Sequence, residues 1–306
     1  MSASEFDLIN RYFAALGKGP AVRLGVGDDA ALLALPADYE LVVSVDTLVE
    51  AVHFPAEAFP EEIAYRAVSV AASDLAAMGA EPLGMTLSLT LPEADDFWLH
   101  SFSEGLAGAA NDLSLPLIGG DTTRGPLTIA VQVLGCVPAG SALTRQGARC
   151  GDRLCVSGPL GDGAAALALQ QDQLVVPAEQ GEYLWQRFYR PDIPLELGQQ
   201  LRGLASAAID ISDGLLADAG HIAAASGVAI HIDPERIPLS TALATMVDRQ
   251  RALGWALTGG DDYQLCFTLP GDAVPPAGCS TLGEVREGAG VHCPVTIDKP
   301  AGYQHF

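Results

Sequence analysis

Lysine is nearly absent from this chain: only Lys18 and Lys299 occur among its 306 residues. Lys18 is followed by Gly19, so there is no Gly-x-x-x-x-Gly-Lys-Ser/Thr phosphate loop. Positive charge is scarce altogether, since 16 Lys and Arg face 38 Asp and Glu and leave a formal net charge of −22. So negative a body excludes a nucleic-acid backbone or an anionic membrane surface as a partner. Long apolar runs are missing too. The richest stretch, Ala64 to Met85, is interrupted by Arg66, Asp74, Glu81 and Pro82. Met1 to Asn10 is polar and acidic, without the basic and apolar regions of a signal peptide. The six cysteines (Cys136, Cys150, Cys155, Cys266, Cys279 and Cys293) form no Cys-x-x-Cys pair, which speaks against a zinc site or a disulfide framework. Free thiols in a reducing compartment fit better, and the expectation is a soluble cytoplasmic protein.

At about 100–200 residues per domain, the length predicts two domains. Strand-like runs fall at Leu41–Asp46, Met85–Leu91, Leu127–Val137, Arg153–Ser157, Ala207–Ser212, Ala229–Ile232 and Leu265–Leu269. Helix-like periodicity covers Ser4–Leu16, Pro60–Met78, Ala94–Leu113, Asp162–Gln171, Glu182–Tyr189, Pro194–Ala205, Gly214–Ala225 and Ser240–Leu253. The alternation predicts an α/β protein with mixed sheets. Pro138-Ala-Gly-Ser141 is the best boundary, giving domains 1–140 and 141–306. Gly-Gly-Asp triplets at 119–121 and 259–261 read as similar turns.

Several carboxylates sit at the ends of apolar strands or in glycine turns. Asp28 and Asp29 follow Gly25-Val-Gly27, and Asp46 ends an apolar run in which period two puts Ser44 and Asp46 on one face, Val43 and Val45 on the other. Asp121 follows Ile118-Gly-Gly, and Asp210 and Asp213 frame Ile211-Ser212. In open α/β sheets ligands collect beyond strand carboxyl ends, so these positions have a reason to converge. Asp74 falls about 20° from Ile63 and Ala67 on a helical wheel, inside the apolar stripe. A carboxylate there needs a cation, a hydrogen-bond partner or a shifted pKa. Bare charges about 4 Å apart would repel by roughly 4 kcal/mol at an effective dielectric near 20. All-oxygen ligands select a hard cation, Mg²⁺ or Mn²⁺ before zinc, and Mg²⁺ shares its ligands with phosphates. A magnesium–nucleotide site is the expectation.

Other signals carry an architectural reading beside the chemical one. Gly25-x-Gly27-x-x-Ala30 has the spacing of a dinucleotide fingerprint, but two aspartates stand where a pyrophosphate would approach. Gly158-Pro-Leu-Gly161-Asp-Gly163 opens a helix and either offers amides to an anion or simply turns the chain. Ser212-Asp213-Gly214 reads as a helix N-cap, which is compatible with a ligand role. Arg145 and Arg124 are each a phosphate clamp or a surface ion pair. His53 is a lone histidine after the Asp46 strand, and no Ser/His/Asp or Cys/His nucleophile set stands out.

Taken in order, Gly25-Val-Gly-Asp-Asp-Ala-Ala-Leu-Leu33, Ser44-Val-Asp-Thr-Leu-Val-Glu50 with His53-Phe54, Ser73-Asp-Leu-Ala-Ala-Met-Gly-Ala-Glu-Pro82, Ile118-Gly-Gly-Asp-Thr-Thr123 and Ile209-Asp-Ile-Ser-Asp-Gly214 resemble the thiamine-monophosphate kinase family. The likeness runs from Glu5 to Phe306. The Ser-Asp-Leu-Ala-Ala-Met-Gly and Gly-Gly-Asp elements alone indicate the wider aminoimidazole ribonucleotide synthetase-like superfamily. The resemblance implies a homodimer that pairs through its N-terminal domains, with ATP in a cleft between domains, and ATP-dependent conversion of thiamine monophosphate to thiamine diphosphate. It implies that Asp29, Ser44, Val45 through its backbone, Asp46, Asp74, Asp121, Asp210 and Asp213 hold several Mg²⁺ ions. By the same resemblance Gly120, Asp121, Arg145 and Ser212 contact ATP, while His53 and Asp261 lie near thiamine monophosphate. The chain has Gly259-Gly-Asp-Asp-Tyr-Gln264 where the family usually has Gly-Gly-Glu-Asp-Tyr-Glu, which shortens the carboxylate at 261 by one methylene. Tyr303 stands in for the aromatic residue the family often places near its end. Alternatives are another ATP-using member of the superfamily or a non-catalytic divalent-cation binder. Selenophosphate synthesis would favour a reactive Cys near the N-terminus, and the first here is Cys136.

Overall fold

The computed structural model of the chain describes residues 5–295 and Gly302. Two compact units divide it: Met1–Leu75 with Ala80–Gly140, and Ala76–Gly79 with Ser141–Phe306. No described helix is long and apolar enough to cross a membrane.

The first unit starts with α1 (Glu5–Leu8), then a wide-turn stretch over Ile9–Phe13 and a tight one over Ala14–Leu16. The single helix expected from Ser4 to Leu16 is thus broken, and Ser4 lies outside the described residues. A small ribbon pairs β1 (Val22–Leu24) with β2 (Leu32–Leu33). The main sheet is built from β3 (Tyr39–Val49), β4 (Glu81–Leu91), β5 (Leu117–Arg124) and β6 (Thr128–Pro138), in the order β3-β6-β4-β5. Only β4 and β5 run parallel. The rule that ligands gather at carboxyl ends of an open parallel sheet therefore does not apply here. Ile129, Val131 and Val133 of β6 with Met85, Leu87 and Leu89 of β4 turn one buried face inward. Two helices belong with it: α2 (Pro60–Ala77), whose Ile63, Ala67, Val68, Ala71 and Leu75 are buried, and α3 (Asp96–Asp112), which buries Leu99, Phe102 and Leu106. Asp95 caps α3 by accepting the Trp98 N–H at 2.7 Å.

The strand expected at Leu41–Asp46 is longer and is an edge strand. It spans Tyr39–Val49, pairs with β6 only, and leaves Leu41, Val43 and Val45 about half exposed on its outer face, at 51%, 48% and 58%. The Gly-Gly-Asp at 119–121 is not a turn but lies inside β5, whereas its counterpart at 259–261 is a loop.

The second unit has one six-stranded sheet made of β7 (Arg153–Val156), β8 (Ala207–Asp210), β9 (Ala229–Ile232), β10 (Leu265–Leu269), β11 (Ser280–Arg286) and β12 (Gly290–His292), in the order β12-β9-β11-β7-β10-β8. β11 and β12 were not legible as apolar runs because β11 interleaves polar residues with apolar ones and β12 is only three residues long. The helices are α4 (Asp162–Gln170), α5 (Ala178–Tyr189), α6 (Leu195–Leu201), α7 (Leu215–Ser226), α8 (Thr241–Met246) and α9 (Arg249–Thr258). Leu154 and Val156 of β7, Ile209 of β8 and Ile230 of β9 share a core with Leu215, Ala219 and Ile222 of α7 and Ala256 and Leu257 of α9. The helix expected over Ser240–Leu253 is two helices, because Asp248 starts a new one by accepting the Arg251 N–H at 2.9 Å.

Candidate active site

In the first unit, β3 and α2 bring three predicted residues together. Period two turns Ser44 and Asp46 inward, and Asp74 projects from the alanine-rich face of α2. The Ser44 hydroxyl donates to Asp74 Oδ2. This is the hydrogen-bond partner that a carboxylate on that stripe requires. Burial pushes Asp46 up to about 6, and the Asp74 charge adds to it. A buried acid that a neighbouring carboxylate makes costlier to ionise forms a site that favours a cation.

The remaining candidates of this unit are placed differently. Asp28 and Asp29 are exposed, and the Asp29 N–H donates to Asp28 Oδ1 at 2.8 Å. Val45 pairs with Gln132 in the ladder and turns its side chain outward. His53 is half-buried after β3, and its Nδ1 accepts the Val49 N–H at 3.0 Å, leaving Nε2 to carry the proton of the neutral ring. Asp46 is level with Val131, Leu87 and Gly120 across the sheet, about 14 Å from Gly120 at the usual strand spacing. Asp121 pairs with exposed Ser88 on the opposite, outer face. Within one chain the register therefore keeps Asp121 apart from Asp46. The Arg124 Nε–H is directed to the Pro92 carbonyl at 3.2 Å.

In the second unit, β8 ends at Asp210, which is nearly buried, and Ile211-Ser212-Asp213-Gly214 leads into α7. The loop Gly259–Gln264 lies against this turn: the Asp261 N–H donates to the Ser212 carbonyl at 3.0 Å and the Tyr263 N–H to the Ile211 carbonyl at 2.8 Å. Asp261 is half-buried, and its Oδ1 accepts the Tyr263 hydroxyl at 2.8 Å. Arg145 is exposed, its carbonyl accepting the Ser226 hydroxyl at 3.2 Å, and no described residue pairs with its guanidinium. Gly302 stands beside Ala217 and Asp213. Tyr303 lies outside the described residues.

Sequence reasoning missed two buried acids that organise these turns. Asp218 of α7 accepts the Asp213 N–H at 3.1 Å and the Gly214 N–H at 3.0 Å on one oxygen. Burial, with the Asp210 and Asp213 charges, pushes it up to about 7. Ligand atoms of Asp213, Asp218 and His221 lie within 4.8 Å of one another. Asp262 is fully buried and accepts the Gly161 N–H at 2.8 Å and the Gly163 N–H at 3.3 Å. At the Gly158–Gly163 turn, which the sequence left open between an anion cradle and a plain turn, the amides are thus taken up by this chain's own Asp262 side chain. Beside it Asp162 accepts the Ser240 hydroxyl at 2.6 Å and the Tyr183 hydroxyl at 2.7 Å, with Arg187 Nε 3.7 Å away. The wheel test that singled out Asp74 finds Asp218 too, three residues after Leu215 and four before Ile222.

Burial pushes Asp262 up to about 8 from an ordinary 3.8, its two amide donors opposing and the Asp162 charge assisting. Above the ordinary value the native state keeps a proton that the unfolded chain has lost. The resulting stability is complete below about pH 4 and disappears as pH rises through about 8. Melting temperature should therefore fall between about pH 5 and 9, and Asp262→Asn should flatten the fall. An unchanged slope in the variant would contradict the assignment.

Comparison with known proteins follows the same two-unit division. The AIR synthase related protein N-terminal domain family matches residues 27–137 and its C-terminal domain family residues 149–259. Thiamine-monophosphate kinase of Escherichia coli (strain K12) is 45% identical over 327 aligned residues, covering 100% of this chain and 99% of its own. A crystal structure of thiamine-monophosphate kinase from Stenotrophomonas maltophilia K279a superposes with a TM-score of 0.88 at 44% identity, over 96% of this chain and 98% of the other. A structure of AaThiL complexed with AMPPCP and TMP gives a TM-score of 0.81 at 33% identity, over 100% and 99% of the two chains. The fold and its two domains are those of the AIR synthase related proteins. Within them, this chain belongs to the thiamine-monophosphate kinase family.

Proposed function

We propose that this chain transfers the γ-phosphoryl group of ATP to the phosphate of thiamine monophosphate, giving thiamine diphosphate and ADP. The observation that carries this reading is full-length membership of a family whose member AaThiL was solved with AMPPCP and TMP.

The nucleophile is a phosphate oxygen that is already anionic at neutral pH, so the reaction needs no strong general base. A new bond forms from that oxygen to the γ-phosphorus while the bond to the β-bridging oxygen breaks, and ADP leaves with its electron pair. The obstacle is repulsion between anions. The donor set fits Mg²⁺: Asp46, Asp74 and Ser44 are clustered hard oxygen ligands, and burial with the Asp74 charge already raises the pKa of Asp46. Asp29 and the Val45 carbonyl are proposed as further Mg²⁺ ligands of the first unit, Asp210 and Asp213 as those of the second, and Asp121, which the register keeps apart from Asp46 within one chain, as a ligand of a separate ion. Magnesium bound there supplies neutralisation of phosphate charge. Arg145, with a guanidinium unpaired among the described residues, would bind ATP phosphate bidentately, and the Ser212 hydroxyl and the Gly120 and Asp121 backbone would orient the nucleotide. His53, with a proton on Nε2, and the Asp261–Tyr263 pair would hold thiamine monophosphate. An ADP-release assay tests this directly. Turnover should require thiamine monophosphate and Mg²⁺; equal turnover with thiamine, or none, would refute it.

A homodimer is part of the same reading. Leu41, Val43 and Val45 form an apolar stripe on the outer face of an edge strand, a feature that monomeric proteins normally suppress. Val43→Glu should convert a dimer into monomer in light scattering. A monomeric parent, or a dimer that survives the charge, would argue against pairing through this face.

A further inference from the structure

Asp262 sits between two residues in the left-handed region, Asp261 at φ 66° and Tyr263 at φ 51°. Neither is glycine, and such backbone is strained unless its surroundings hold it. On one side the loop is held by main-chain bonds from Asp261 to Ser212 and from Tyr263 to Ile211. On the other side Asp262 ties the loop to the start of α4 through the Gly161 and Gly163 amides. The approach there is tight: a Cβ on Gly163 would stand 2.4 Å from the Asp261 carbonyl oxygen. Below the loop, Ser157 secures the next residues, its hydroxyl donating to Gln264 Oε1 at 2.7 Å and accepting the Leu265 N–H at 2.8 Å. The strained tripeptide is therefore fixed at both ends, and a buried carboxyl group ties its middle to α4.

We propose that Asp262 is the positioning residue for the thiamine-monophosphate end of the site: its carboxylate, anchored on the first amides of α4, fixes the backbone that presents Asp261. This rests on the phosphotransfer reading above. Asp262 is enclosed and does not touch substrate, so it acts only through Asp261 and its Tyr263 partner. A carboxyl keeps an acceptor lone pair on each oxygen whereas an amide nitrogen has none, so Asn at 262 can accept only one of the two N–H groups and releases one side of the clamp.

The test is a double-mutant cycle of Asp261→Ala and Asp262→Asn, with KM measured separately for thiamine monophosphate and ATP. Asp262→Asn should raise the thiamine-monophosphate KM about tenfold and leave the ATP KM within about twofold. In the Asp261→Ala background the same change should add nothing further to KM, because its route of action is gone. Gly163→Ala, which keeps the carboxylate but presses on the Asp261 carbonyl, should produce the same selective rise. It replaces Asp262→Asn in the cycle if that variant fails to melt cooperatively. An unchanged thiamine-monophosphate KM, an equal rise for both substrates, or full additivity in the cycle would overturn the proposal. A parent enzyme without thiamine-monophosphate-dependent turnover would overturn the functional reading first and the proposal with it, whereas an active parent with an additive cycle would overturn the positioning role alone.

Discussion

Replacing Asp46 by Asn should reduce turnover by about a thousandfold, ~4 kcal/mol of transition-state stabilisation, while leaving the protein folded. The reason lies in the pairing of Asp46 with Asp74. Burial and the Asp74 charge already push Asp46 up to about 6, so two ionised groups at this point oppose folding rather than support it. A neutral amide of the same shape removes that opposition. Without metal, the variant should melt at or above the temperature of the parent. With Mg²⁺ the order should reverse, because an ion bound only by the native state stabilises the parent and not the variant. Asp74→Asn should behave alike but keep the Ser44 hydrogen bond through its amide oxygen. Full turnover in both variants would refute the assignment of these acids to a cation. A collapse of the metal-free melting temperature would show instead that they hold the fold.

The second large effect is on stability. Gly120 lies inside β5 at φ 154°, and a Cβ there would stand 1.9 Å from the Leu87 carbonyl oxygen of β4. No rotamer relieves that contact, since it is backbone against the first side-chain atom. Gly120→Ala must separate the two parallel strands or distort β5, at a cost of about 3 kcal/mol from overpacking and backbone strain together. For a unit of this size that is a fall of roughly 6–12 °C in melting temperature. Gly119→Ala supplies the control, because nothing lies within 4 Å of a Cβ there. Equal melting temperatures for the two variants would contradict the geometry.

The same glycine shows why parts of the fold were hidden in the sequence. Ile118-Gly-Gly-Asp121 reads as a turn because glycine weakens a strand in isolation, yet β5 needs a residue without a side chain where β4 approaches. Helix α2 was legible nearly to the residue, since its alanine and valine periodicity is local. The break between α8 and α9 was not, because Asp248 restarts a helix within a continuous apolar pattern. At the site, Asp46, Ser44 and Asp74 were readable from period two and period 3.6 alone. Asp218 and Asp262 were not recognised because their significance lies in which amides they reach. Those amides belong to helix N-termini, and for Asp262 they lie about a hundred residues away. At α4 the sequence left an anion cradle and a plain turn open, since it shows the amides but not that Asp262 occupies them.

The most direct test of the central claim is transfer of label from [γ-³²P]ATP. With thiamine monophosphate and Mg²⁺, the account predicts label in the terminal phosphate of thiamine diphosphate, one for each ADP formed, with no labelled protein in acid-quenched samples. Label released as inorganic phosphate, or incorporation that does not depend on thiamine monophosphate, would contradict it.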